Sequence, residues 1–247
     1  MYKGKTVSVV MSTYNEKESI RRCIDKFFLT QLVDEVIVVN NNAVDGTTEE
    51  VQKTNAVLLY QSKQGYGHGF QMALESATGD FLVMCEPDGT FTPSDVEKLL
   101  AYTDFMEVVQ GSRTSSTHIL NGANMGLFLK YGNFFVAKFA QWIFPEAAST
   151  LTDCGCTFRL ISRDAYRRIS SYFRCGGSAF GMELTLLCLR CRIRMCEIPL
   201  RYGARIGEST LTGSFWITLF LGVNMIMMIL LHRLLEFGNP LAKGSRA

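Results

Sequence analysis

Charge of one sign is what this sequence most lacks. Its 25 Lys and Arg nearly balance 23 Asp and Glu, leaving a net charge of +2. No global field draws such a chain to nucleic acid, which is left out of its expected partners. An apolar leader with a small-residue cleavage site is also missing, because Met1-Tyr2-Lys3-Gly4-Lys5 runs directly into the strand-like Thr6–Met11. A cytoplasmic setting with reduced thiols is therefore expected. The eight cysteines have no histidine near them at ligand spacing. Cys154-x-Cys156, and Cys188-x-x-Cys191 with Cys196, thus read as buried thiols rather than structural zinc. Repeats, low-complexity tracts and linkers are absent too, which leaves one main domain as the simplest organisation.

What is present is a core-forming chain. Its 247 residues are 47% hydrophobic and 19% charged, richer in apolar groups than an average soluble enzyme. Apolar runs at Thr6–Ser12, Glu35–Val39, Val57–Tyr60 and Phe81–Cys85 alternate with helical stretches at Glu16–Phe28 and Phe70–Ala77. A short helix through Lys53 would be capped by Asp45 or Thr47. This is a βαβ layout, and the continuous rather than alternating apolar runs predict a mostly parallel sheet covered on both faces. Later elements are less regular: strands at Val108–Gln110, Thr157–Ile161 and Met195–Ile198, and helices at Gly126–Phe144 and Phe180–Arg190. Ligands of such sheets bind beyond the carboxyl ends of the strands. Thr13-Tyr14-Asn15-Glu16, Asn40–Asn42, Gln64–Gly69 and Glu86–Asp88 all fall there.

Two carboxylates two residues apart at a strand end, Glu86 and Asp88, can grip one hard divalent cation, Mg2+ or Mn2+, whose other ligands are waters and substrate phosphates. Gln64-Gly65-Tyr66-Gly67-His68-Gly69 is not a dinucleotide fingerprint, since its glycines have the wrong spacing and follow the third strand. It is either a turn capping the next helix or a place where backbone approaches a nucleotide. Asp153 stands just before a strand. Glu183 lies in an otherwise apolar helix, at its wet first turn or in a functional role. Arg201, Arg205 and Glu208 follow the last strand, as a solvated loop or a flap over phosphates.

Taken in order, these pieces resemble family-2 inverting glycosyltransferases, most of all the dolichol-phosphate mannose synthase and polyprenyl-phosphate glycosyltransferase branch. The resemblance spans about residues 6–210. It is carried by Val9–Glu16, Asp45-Gly46-Thr47, Gly65-Tyr66-Gly67, Gly79-Asp80-Phe81, Gly111-Ser112-Arg113 and Arg205-x-Gly207-Glu208-Ser209. It implies a GT-A type nucleotide-binding α/β sandwich over residues 1–210, followed by a hydrophobic helix and short tail in 211–247. It also implies a nucleoside-diphosphate-sugar donor, bound by Thr13, Tyr14, Glu16, Asn40, Gln64, Gly65 and Arg205. Metal would be held at Glu86 and Asp88, with catalytic roles for Asp88 and Asp153; Arg159 matches a neighbouring landmark. Asn40–Asn42 lacks the family's acids, Glu86 stands for an Asp, and Cys156-Thr157 replaces Ser-Gly. The Gln-x-x-Arg-Trp signature of processive synthases is absent, which implies transfer of a single sugar.

Ser209–Leu231 contains no charged residue. Phe215–Leu231 is read as a membrane-inserted or interfacial helix, a homodimer contact, or a core helix. The first reading fits a lipid-phosphate acceptor at the cytoplasmic face of a membrane, its phosphate held by Arg113 and Lys130. A sugar-hydroxyl acceptor would instead need a base, for which Glu183 is the candidate. Two other classes share the layered layout: a nucleotidyltransferase, whose Gly-x-Gly-Thr-Arg opening is missing, and a non-catalytic sugar-nucleotide binding protein.

Overall fold

The structure, a computed structural model, describes residues 1–114, 127–145, 150–207 and 215–238. Seven strands form one sheet, ordered β3-β2-β1-β4-β6-β5-β7. They are β1 (Val7–Thr13), β2 (Glu35–Asn40), β3 (Val57–Tyr60), β4 (Phe81–Met84), β5 (Val108–Ser112), β6 (Arg159–Ser162) and β7 (Met195–Pro199). Only β6 runs against its neighbours, β4 and β5. This is the mostly parallel α/β sandwich that the resemblance implies.

Because successive strand side chains point to opposite faces, the sheet carries two cores. Val7, Val9 and Met11 join Val36, Val38 and Val83 on one face, covered by α1 (Ile20–Leu29), α2 (Thr47–Gln52) and α4 (Val96–Leu100). Val10, Ile37, Val39 and Met84 line the other. That face is covered by α3 (Tyr66–Ser76), α5 (Leu127–Ile143), α6 (Arg163–Ile169), α7 (Phe180–Arg190) and α8 (Phe215–Gly238). Burial on both sides explains why these strands read as unbroken apolar runs.

Helix starts differ from the sequence reading, each for a local reason. The Glu16 carboxylate folds back onto the N–H groups of Tyr14 and Asn15, so α1 begins at Ile20 rather than Glu16. Neither Asp45 nor Thr47 caps α2: its N-cap is Gly46 in the left-handed region, and the buried Thr47 hydroxyl has no partner. Helix α3 starts at Tyr66, a turn earlier than expected, because its glycines let the chain press against Cys175–Gly176. The eight cysteines are free thiols, six of them buried. Burial pushes Cys156 and Cys188 up to about 12, as expected for inert core thiols.

Helix α8 packs on α5 and α7. Its outer side leaves Phe220, Val223, Met227, Leu231 and Leu234 exposed, near the equally exposed Phe135 and Trp142 of α5. Among the described residues no helix is long and apolar enough to cross a membrane.

Candidate active site at the carboxyl edge of the sheet

The reversed strand β6 builds the site. Its first residue, Arg159, pairs with Met84, near the end of β4. The turn entering β6 (Asp153–Thr157) therefore meets the turn leaving β4 (Glu86–Asp88). Strands β5 and β7 point the same way as β4, which brings Arg113 and the segment 200–206 to the same edge.

Arg205 lies between the two predicted metal carboxylates. Its Nε donates to Asp88 Oδ2 at 2.8 Å, and Nη2 donates to Glu86 Oε2 at 3.0 Å. Asp88, 1% exposed, also accepts from the Thr90 N–H and hydroxyl on Oδ1, at 3.0 and 2.6 Å. Glu86 Oε1 accepts from the Thr157 hydroxyl at 2.7 Å, and Thr157 Oγ1 lies 2.6 Å from the Tyr66 hydroxyl. Burial, then the Asp88 charge, pushes the Glu86 carboxyl above its usual range, against the pull of Thr157 and Arg205. Burial works against the charge on Arg205, but Asp88 and Glu86 together raise it.

A second pair sits alongside. Arg113 Nε and Nη2 donate to Asp153 Oδ2 and Oδ1 at 2.7 and 2.9 Å, and the Arg113 and Gly155 N–H groups complete the carboxylate's partners. Burial alone would raise Asp153; the Arg113 guanidinium overrides it and holds the carboxyl below its usual range. Tyr202 presents its ring 5.6 Å from the Arg113 guanidinium carbon. It belongs to the segment that carries Arg205, so one strip of chain touches both pairs. That strip is docked rather than loose. Arg201 forks onto Asp95, Gly203 N–H bonds Thr90 O, and Ile206 N–H bonds Asp88 O. Glu208 and Ser209 lie outside the described residues.

The candidate nucleotide residues line the neighbouring strand ends. Glu16 uses Oε2 for the Thr13 hydroxyl and the Tyr14 and Asn15 N–H groups, at 3.0, 2.8 and 3.0 Å. Asn40 is committed internally: its Oδ1 accepts from Ala43 N–H and its Nδ2 donates to Thr48. Asn41 ties β2 to the carbonyls of Gln61 and Lys63 and to Gly65 N–H, while Asn42 donates to the Gln64 side chain. The asparagine run thus braces the loop that enters α3. Gly65 has φ of +145°, and a Cβ there would meet Gly176 O at 2.3 Å, so only glycine fits.

Glu183 has both oxygens occupied, by the Arg174 and Cys175 N–H groups at 2.9 Å each. It holds the loop against which Gly65 and Gly67 pack. Arg159, fully buried, donates to the carbonyls of Cys156 and Gly181, fastening the β6 turn to α7. Lys130 is half-buried on α5, one turn before Asn133, which lies close to Gly155 and so to the Arg113–Asp153 pair.

Sequence reasoning missed Thr157 and Tyr202, and it read Tyr66 only as part of a turn. The one available signal was Cys156-Thr157 standing where the resembled family has Ser-Gly.

Among the described residues no group of three or more His, Cys, Asp or Glu side chains stands ready for a metal. Glu86 and Asp88 offer two hard carboxylates whose shared positive partner is a side chain. That donor set fits a divalent ion completed by phosphate and water oxygens.

The model of "Glycosyl transferase family 2" matches residues 8–170. A low-salt glycan biosynthesis hexosyltransferase, Agl6, of Haloferax volcanii is 29% identical over 212 residues, covering 83% of this chain and 50% of that protein. A dolichyl-phosphate beta-glucosyltransferase of Saccharomyces cerevisiae is 25% identical, covering 79% of this chain and 66% of that protein. The chain thus spans between half and two thirds of these relatives' lengths. A crystal structure of glucosyl-3-phosphoglycerate synthase from Mycobacterium tuberculosis, in complex with Mn2+, UDP-glucose and phosphoglyceric acid, superposes with a TM-score of 0.68. Identity there is 20%, with 93% of this chain and 80% of that chain covered, a likeness of fold. The matched segment holds β1 to β6, both acidic turns and the Arg113–Asp153 pair, and by that match the chain belongs to glycosyl transferase family 2.

Proposed function

We propose that this chain transfers one sugar, with inversion, from a nucleoside-diphosphate sugar to the phosphate of a polyprenyl lipid. The observation that carries the reading is Arg205 shared by Glu86 and Asp88 at the carboxyl edge of the sheet. Opposite charges held there in balance are what a departing diphosphate needs. UDP-glucose is the preferred donor, in line with the glucosyltransferases among the relatives.

Asp88 and Glu86 would hold Mg2+ or Mn2+, which supplies charge stabilisation to the leaving diphosphate when bound. Arg205, released from the carboxylates, turns its guanidinium to phosphate oxygens. Glu16 accepts from a ribose hydroxyl, beside Thr13, Tyr14, Gln64 and Gly65. Asn40 supports that pocket through its loop rather than by reading the base. Asp153 keeps Arg113 oriented, with Lys130 beside it, toward an anionic acceptor. A phosphate oxygen is already negative near neutral pH and attacks without a strong base. The full commitment of Glu183 to backbone N–H groups favours such an acceptor over a sugar hydroxyl.

The apolar outer side of α5 and α8 would lie in a membrane interface, where a polyprenyl chain keeps its phosphate. The test is incubation with UDP- and GDP-sugars and polyprenyl phosphate, followed by proton NMR of fresh product. An α-linked donor should give a β-linked lipid; an α product would sink the inverting assignment. Vesicle flotation of the full chain, against a chain ending at Thr212, separates membrane docking from a dimer contact. Flotation lost on truncation supports docking. A full chain that fails to float and runs as a dimer, becoming monomeric on truncation, assigns α8 to a homodimer.

A further inference from the structure

Thr157 and Tyr66 have no part in the transfer described above, yet they are wired into its centre. Thr157 is 4% exposed and has a single hydroxyl proton. That proton goes to Glu86 Oε1, so in the 2.6 Å contact between the two hydroxyls Tyr66 must be the donor. The chain of bonds therefore has a direction: Tyr66 to Thr157, Thr157 to Glu86, with Arg205 donating to the other Glu86 oxygen and to Asp88. Burial holds the Tyr66 phenol well above its usual range, which keeps the donated proton in place. Tyr66 is fixed in turn: its ring centroid lies 4.8 Å from that of Phe70. Its flanking glycines press on Cys175 and Gly176.

Glu86 has one methylene more than an aspartate, and so one more torsion to settle. Left unheld, its carboxylate would swing away from Arg205. We propose that Thr157, oriented by Tyr66, is a positioning residue that pins one oxygen of Glu86 so that the other shares Arg205 with Asp88, setting how firmly this edge takes up a divalent cation. This rests on the reading of the edge as a cation and diphosphate site. Without the hydroxyl, Glu86 Oε1 becomes a partly buried acceptor with no donor.

The experiment titrates Mn2+ into the full chain and follows free Mn2+ by electron paramagnetic resonance, with and without UDP. Thr157→Val should weaken Mn2+ binding about tenfold, the loss expected for a hydrogen bond to a charged acceptor. Thr157→Ser should restore it, and Tyr66→Phe should weaken it about threefold, acting one bond further away. The double variant should bind no more weakly than Thr157→Val alone, because Tyr66 acts through Thr157. Wild-type affinity in Thr157→Val, or losses that simply add, would overturn the proposal. If Thr157→Val fails to fold, Tyr66→Phe decides, and wild-type affinity there overturns it equally. A wild-type chain that takes up no Mn2+ defeats the cation reading itself and the relay with it.

Discussion

Two arginine–carboxylate clusters stand side by side at the same sheet edge and are built for opposite purposes. Arg113 and Asp153 form a closed fork. Both carboxylate oxygens carry two N–H donors, the Asp153 side chain is fully buried, and every partner lies in the turn or strand end beside it. Arg205 instead divides itself between two carboxylates, is a quarter exposed, and arrives on a strip held mainly by backbone bonds to residues 88–90. A fork of the first kind fixes geometry, because opening it strands a buried charge. A shared guanidinium of the second kind can be replaced by another cation without leaving either carboxylate unpaired.

The largest expected effect therefore falls on the closed pair. Asp153→Ala leaves Arg113 buried and uncompensated, at a cost of about 3–5 kcal/mol in stability. Urea unfolding should show a lower midpoint with an unchanged slope. A loss under 1 kcal/mol would mean that the fork is not a scaffold. Asp88→Ala should behave the other way. Arg205 keeps Glu86 and gains water, so folding is largely preserved while transfer falls on the order of 100-fold. Excess chelator should mimic that loss, and full activity in chelator would refute the cation. Arg205→Lys keeps a charge but loses the fork, and should cost about tenfold in turnover with little change in melting temperature.

The contrast also shows what a sequence can reveal. Both acidic turns were legible, because Glu86-Pro87-Asp88 and Asp153 each adjoin a recognisable apolar strand. Their partners were not. Arg205 meets Asp88 across 117 residues, Arg113 meets Asp153 across 40, and Tyr66 meets Thr157 across 91. Such pairings depend on the strand order, and above all on β6 running backwards, which no local period announces. The run Asn40–Asn42 shows the opposite limit. Its position at a strand end was read correctly, but its amides are spent on the Gln61–Gly65 loop and on Thr48. Glu183 looked out of place on an apolar helix until its partners proved to be two backbone N–H groups eight and nine residues upstream. Strand runs and helix faces were readable for the familiar reason that burial on both sheet faces writes itself into composition.

The smallest predicted effect separates the clusters by the sign of their response to pH. Asp153 has its carboxyl lowered from the ordinary 3.8 in the fold. Its stabilisation is present above that value and is lost as pH falls through the lower folded one. Glu86 is raised from 4.5, so its contribution is present below 4.5 and disappears as pH rises through the higher folded value. Near neutral pH the Glu86 charge is then a mild burden on the fold, partly offset by Thr157 and Arg205. Glu86→Gln removes that burden along with half of Arg205's pairing, and should change stability at pH 7 by no more than about 0.5 kcal/mol. Its effect should drift toward destabilising as pH is lowered past 4.5, where the native glutamic acid is neutral and well accommodated. Asp153→Asn should show the reverse trend, costing most at neutral pH and least in acid. Melting curves of both variants and the parent between pH 3 and 8 read this directly, and parallel pH trends for the two variants would erase the distinction drawn between the clusters.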